Sequence, residues 1–139
     1  MLKVLLPIDG SENSVRTVNH VISKAHLYKE PLELHLLNVQ RAFPGTVKMV
    51  GEGAQAFHRE EGMKALDAAR KQLDAAEVKY TQHIGVGEPA EVIAQYVTNL
   101  GVEEVVMGYH GGTAVVSALL GSVATRVLNL VNVPVSLVK

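Results

Sequence analysis

Short apolar runs alternate along this chain with stretches of helical periodicity, and that alternation leaves few folds open. Residues 2–8 (LKVLLPI), 32–39 (LELHLLNV), 78–84 (VKYTQHI), 102–107 (VEEVVM) and 133–138 (VPVSLV) read as strands. Runs of this length with few polar residues fit parallel strands covered on both faces, whereas the alternation in 78–84 places that strand nearer a sheet edge. Pro134 also fits an edge, a strand start or a bulge, because it cannot donate to a ladder. Between the strands, Ser11 and Glu12 open a helix that carries Val15, Val18, Val21, Ile22 and Ala25 and runs to about Tyr28. Phe57, Leu66, Ala69, Leu73 and Ala76 stripe a helix over 54–77, in which Gly62 is a weak spot. Gly87, Glu88 and Pro89 open a third, with Val92, Ile93, Tyr96, Val97 and Leu100 inward, and 123–130 is the fourth. One strand per crossover helix predicts an α/β fold: a single doubly wound domain over 1–139, with a five-stranded parallel sheet and helices on both faces, for which the strand order 3-2-1-4-5 is assumed.

Composition narrows the partners. With 139 residues, 47% of them hydrophobic, the chain can bury a core in one domain. Thirteen basic against fourteen acidic residues give a net charge of -1, so neither nucleic acid nor a membrane surface is expected as a partner. There is no cysteine, which excludes disulfide scaffolds and thiolate metal sites and suits a reducing cytosol. Met1-Leu2-Lys3 leads directly into the first strand, and no apolar segment approaches the roughly 20 residues of a bilayer span. A cytoplasmic location is the expectation. Residues 41–53, with Pro44, Gly45, Gly51 and Gly53, read as a loop and a candidate lid.

The fourth strand runs into Gly108-Tyr109-His110-Gly111, nine further residues, and then Gly121-Ser122 at the start of a helix. Glycines permit positive φ and close backbone approach, while successive N–H groups and a helix N-terminus favour anionic oxygens. Ser122 as N-cap adds a hydroxyl, and His110 inside the motif can meet a phosphate or order a water. Asp9 ends the first strand. In the expected strand order the chain reverses between strands 1 and 4, so Asp9 and the glycine motif face one crevice, where such sheets bind ligands. Taken singly, Asp9 is a helix cap or turn residue and the glycines are turn residues; their convergence favours a nucleotide site.

Other signals carry less. Residues 85–90 (GVGEPA) mimic a GxGxxA fingerprint, but they follow the third strand, and Glu88 sets a carboxylate against the pyrophosphate. His20, His26, His35, His58, His83 and His110 show no paired-ligand spacing, so solvated or surface imidazoles are expected apart from His110. The charges from Arg59 to Asp74 read as a solvated helix face.

The spacing from Gly108 to Ser122 resembles the ATP-binding signature of the universal stress protein family. Residues 5–14 (LLPIDGSENS), 37–39 (LNV), 85–93 (GVGEPAEVI), 105–111 (VVMGYHG) and 121–138 (GSVATRVLNLVNVPVSLV) support the likeness, which covers essentially the whole chain. The resemblance implies that Pro7, Ile8 and Asp9 contact adenosine, with the Asp9 carboxylate near ribose or an indirectly held Mg²⁺, and that Val39 lies beside the adenine. Met107 and Gly108 would close the nucleoside pocket. Gly111, Gly121, Ser122 and Val123 would offer backbone to the phosphates of ATP, or of AMP or ADP, with Mg²⁺ carried on them. It also implies a homodimer paired through the last strand at Val135, Leu137 and Val138. The downstream protein partner is unknown.

Two departures stand out. Residues 112–120 (GTAVVSALL) contain no Lys or Arg, and there is no GxxxxGK[ST] lysine, leaving His110 and Arg126 as the nearby cations in sequence. Backbone dipoles, hydroxyls and Mg²⁺ would then carry the triphosphate, which suggests roughly micromolar affinity, about 8 kcal/mol. Thr125 stands where an acidic residue would complete a capping box with Ser122. No positioned base or second phosphate motif marks an efficient hydrolase. The expected function is a small cytoplasmic ATP-binding stress-response regulator; the alternatives are a slow ATPase and a nucleotide-free dimeric scaffold.

Overall fold

A computed structural model of the chain describes residues 1–42, 51–110 and 120–139. Strand β1 (Leu2–Pro7) leads to α1 (Glu12–Lys24), a 3₁₀ turn (Ala25–Leu27), β2 (Leu32–Gln40), α2 (Glu52–Ala75), β3 (Tyr80–Val86), α3 (Pro89–Leu100), β4 (Glu104–Gly108), α4 (Ser122–Leu130) and β5 (Val135–Val138). The sheet is parallel throughout, in the order β3-β2-β1-β4-β5.

Strand periodicity of two sorts the core into two layers. Val4, Leu6, Ile8, Leu34, Leu36 and Val106 pack with Val18 and Val21 of α1 and with Leu66, Ala69 and Leu73 of α2. Leu5, Leu37, Val105 and Met107 point the other way, onto Ala90, Ile93 and Val97 of α3 and Ala124 and Val127 of α4. Helices therefore cover both faces. The central strands are closed by neighbours, while β3 and β5 form the edges.

Several boundaries shift for identifiable reasons. Glu77 adopts φ 57° and Val78 donates to the Leu73 carbonyl at 2.9 Å, so this segment ends α2 and β3 starts only at Tyr80. The buried stripe of α2 is His58, Gly62, Leu66, Ala69 and Leu73; Phe57 is 41% exposed and Ala76 is exposed. Gly62 is a point of close approach, because a Cβ there would lie 2.8 Å from the Ile84 side chain. Its helix-propensity cost is offset by the helix lying close on β3. Pro134 precedes β5, and its carbonyl accepts the Val105 N–H at 2.9 Å. The proline thus contributes the half of a ladder bond that it possesses.

Candidate functional site

The C-terminal ends of β1, β2 and β4 open beside the start of α4, and between them lies a cavity of about 360 Å³. At the end of β1, Ile8 is buried and donates its N–H to the Leu37 carbonyl at 2.8 Å. Its own carbonyl accepts from Asn38 Nδ2 at 2.9 Å, and Asn38 Oδ1 accepts from Gln40 Nε2 at 2.7 Å. This buried amide satisfies a strand-end carbonyl and so fixes the backbone just before Asp9. Asp9 is exposed; its Oδ1 accepts the Ser11 N–H at 2.9 Å. Gly10 follows at φ +89°, packed against Ala65 of α2. Ser11 caps α1, its Oγ accepting the Ser14 N–H at 3.2 Å. Asp9 holds the turn and lines the cavity at once.

At the end of β4 the backbone is held by distant parts of the chain. Tyr109 donates its N–H to the Val138 carbonyl at 2.8 Å and accepts from the Gly121 N–H at 2.9 Å. His110 donates its N–H to Asn13 Oδ1 at 2.7 Å. Gly108 is required by packing rather than by an unusual φ, because a Cβ there would lie 2.6 Å from Asn13 Oδ1. Gly121 is the N-cap of α4 with φ -61° and ψ 155°, so Ser122 is the first helical residue and not the cap. The Gly121 carbonyl accepts both the N–H (3.0 Å) and the Oγ1 hydroxyl (2.9 Å) of Thr125. Among the described residues no side chain caps this helix, and α-helical geometry leaves the amides of Ser122, Val123 and Ala124 without intrahelical acceptors. Those three residues line the cavity, where free donors and the helix dipole favour negative charge.

Of the residues singled out from the sequence, Pro7, Ile8, Asp9 and Val39 form one side of this cavity. Met107, Gly108, His110, Gly121, Ser122 and Val123 form the other, and Gly111 lies outside the described residues. Most of the proposed lid, residues 43–50, also lies outside them. Arg126 does not line the cavity; its Nη2 lies 3.3 Å from Glu91 Oε1 in an exposed pair, which contributes little. Among the described residues Arg41, just beyond the end of β2, does line it. The contributions of Ser14, Pro89 and Ile93 were not legible in the sequence, since they depend on how α1 and α3 lie across the strand ends.

The histidines are not uniformly solvated. His35 and His58 are buried, and His35 Nδ1 lies 2.9 Å from His83 Nε2 while its Nε2 lies 2.8 Å from Glu33 Oε2. Burial, followed by the neighbouring His35, holds the His83 imidazole below the ordinary histidine range. The hydrogen bond from His35 is the largest influence lowering the Glu33 carboxyl. Among the described residues no three His, Cys, Asp or Glu side chains gather as a metal site. No helix there is long and apolar enough to cross a membrane.

The model of the universal stress protein family matches residues 1–139. The universal stress protein MJ0531 of Methanocaldococcus jannaschii is 31% identical over 141 residues, covering 99% of this chain and 81% of the relative. The universal stress protein MJ0577 of the same organism is 30% identical over 152 residues, covering 99% and 94%. Its solved structure superposes with a TM-score of 0.82 at 31% identity, covering 99% of this chain and 94% of that one. An Arabidopsis thaliana protein of the family, solved with AMP bound, shares the fold at a TM-score of 0.70 and 17% identity, covering 100% and 92%. With a family match across its whole length and these relatives at 30% identity or more, the chain belongs to the universal stress protein family.

Proposed function

We propose that this chain binds an adenine nucleotide, ATP foremost with AMP or ADP as alternatives, and acts as a small cytoplasmic stress-response regulator. One observation carries the reading: a strand-end carboxylate and the uncapped first turn of α4, about a hundred residues apart in sequence, line the same cavity. The apolar slot of Ile8, Leu37, Val39, Ile93 and Met107 takes the base, and Asp9 meets the ribose. The amides of Ser122 and Val123, with His110 and Gly121, take the phosphates, and Gly111 belongs to the same loop. At about 360 Å³ the cavity falls within the usual range for small-molecule sites, roughly 300–1,000 Å³. A family relative solved with AMP bound supports the ligand class.

Mg²⁺ would travel with the phosphates, and Asp9, the carboxylate among the lining residues, would face it through water. Arg41 adds a positive charge to the lining, and the expected affinity is roughly micromolar despite the lack of a phosphate-loop lysine. Homodimerisation through the β5 edge at Val135, Leu137 and Val138 belongs to the same proposal, since among the described residues no further strand lies beside that edge. The test is calorimetric titration with ATP and Mg²⁺, paired with mass spectrometry of ligand released from freshly purified protein. Saturable binding and a released adenine nucleotide are expected. No saturable heat up to millimolar ATP would leave the nucleotide-free scaffold, and conversion of bound ATP on long incubation would favour the slow ATPase.

A further inference from the structure

Asn13 sits in the first turn of α1, is 6% exposed and is not part of the cavity lining. Its amide nevertheless grips one residue that is, His110. Oδ1 accepts the His110 N–H at 2.7 Å, and Nδ2 donates to the carbonyl of Val138, the last residue of β5, at 2.9 Å. The same Oδ1 occupies the space that a side chain at Gly108 would need. An asparagine this early in a helix ordinarily serves local capping. Here Ser11 already does so, and Asn13 is turned to the sheet, where one side chain spans α1, the exit of β4 and the end of β5.

We propose that Asn13 is a positioning residue for the phosphate side of the nucleotide cavity. It rests on the nucleotide reading and deepens it. Gly108 and His110 belong to the wall that continues through Gly121 into α4, opposite the Val39 wall assigned to the base. Tying the His110 amide to the end of a sheet strand fixes the exit of β4, where the Tyr109 carbonyl accepts the Gly121 N–H at 2.9 Å, and so sets the place of the first turn of α4 whose amides are assigned to phosphate oxygens. Donors fixed before the ligand arrives spare the ordering cost that a loose segment incurs on binding. The bonds are also difficult to replace, because a buried amide that loses either partner leaves main-chain polar groups unpaired. The consequence is selective: phosphate-bearing ligands should depend on Asn13, and the bare nucleoside should not.

The test measures ATP and adenosine affinities of the wild-type protein and of Asn13→Leu, similar in size but unable to form either bond. ATP should weaken roughly tenfold while adenosine changes by less than about twofold. If Asn13→Leu does not fold, Asn13→Ser replaces it; a hydroxyl reaches at most one partner, and the same selective loss of about threefold is expected. Equal loss of both ligands, or loss of neither, in a folded variant overturns the positioning role while leaving nucleotide binding intact. A wild-type protein that binds neither ligand removes the nucleotide reading itself, and the role of Asn13 with it.

Discussion

The turn after β1 and the connection after β4 end neighbouring strands and face the same cavity, yet they are held in opposite ways. The first closes on itself: Asp9 binds the Ser11 N–H, Gly10 takes positive φ, and Ser11 caps α1, all within six residues ending at Ser14. The second has no side-chain cap and leans on Asn13 and Val138 from the two ends of the chain. A turn satisfied locally survives changes elsewhere. One satisfied remotely couples its shape to the whole sheet, and it leads into the first turn of α4, whose residues line the cavity.

That contrast can be broken experimentally. The largest effect is expected for Gly121→Val: φ -61° and ψ 155° suit any residue, so the fold should persist while the branched side chain fills the cavity, with ATP binding weakened roughly hundredfold by titration. Unchanged affinity in a folded Gly121→Val protein would remove α4 from the site. Next is Gly108→Ala, whose methyl would meet Asn13 Oδ1 at 2.6 Å; a loss of about 1–3 kcal/mol in denaturant-measured stability is expected, together with weaker ATP binding.

Ser11→Ala should cost about 1 kcal/mol of stability through the lost cap and leave ATP affinity unaltered, since Ser11 lies outside the cavity lining. A matching loss of affinity would show that the two connections are not separable. The smallest effect concerns the imidazole pair of β2 and β3, away from both. A histidine held below its ordinary value of 6.5 binds its proton more readily unfolded than folded. Its stabilising contribution is therefore present above pH 6.5 and shrinks as pH falls from there to its folded-state pKa. Melting curves across that window should show a modest acid-side decline that His83→Gln flattens.

Much of this was legible in single stretches of sequence. Strand β2, with its run LELHLLNV, and α3, with Pro89 in its first turn, sit close to where their residues place them, because patterning and helix entry are local. The burial of His58 in α2 was not legible, since a polar residue on the inner stripe looks like a surface one until the sheet is placed beneath it. Arg41 was overlooked for a related reason. It is distant in sequence from the glycine motif and reaches the same cavity only through the β1–β2 and β1–β4 pairings that bring the strand ends together.

Alternation of apolar runs and amphipathic helices by itself determined the α/β class and the parallel sheet, since each element must bury its own apolar face and crossovers have one favoured hand, while the strand order was an assumption that the tertiary structure bears out. Tertiary structure alone decided why Gly108 has no side chain, which cation reaches the cavity, and what holds the exit of β4. The physical reason is range. Periodicity and capping act over a few residues, whereas the contacts that shape the cavity join residues about a hundred positions apart, and no local pattern records them.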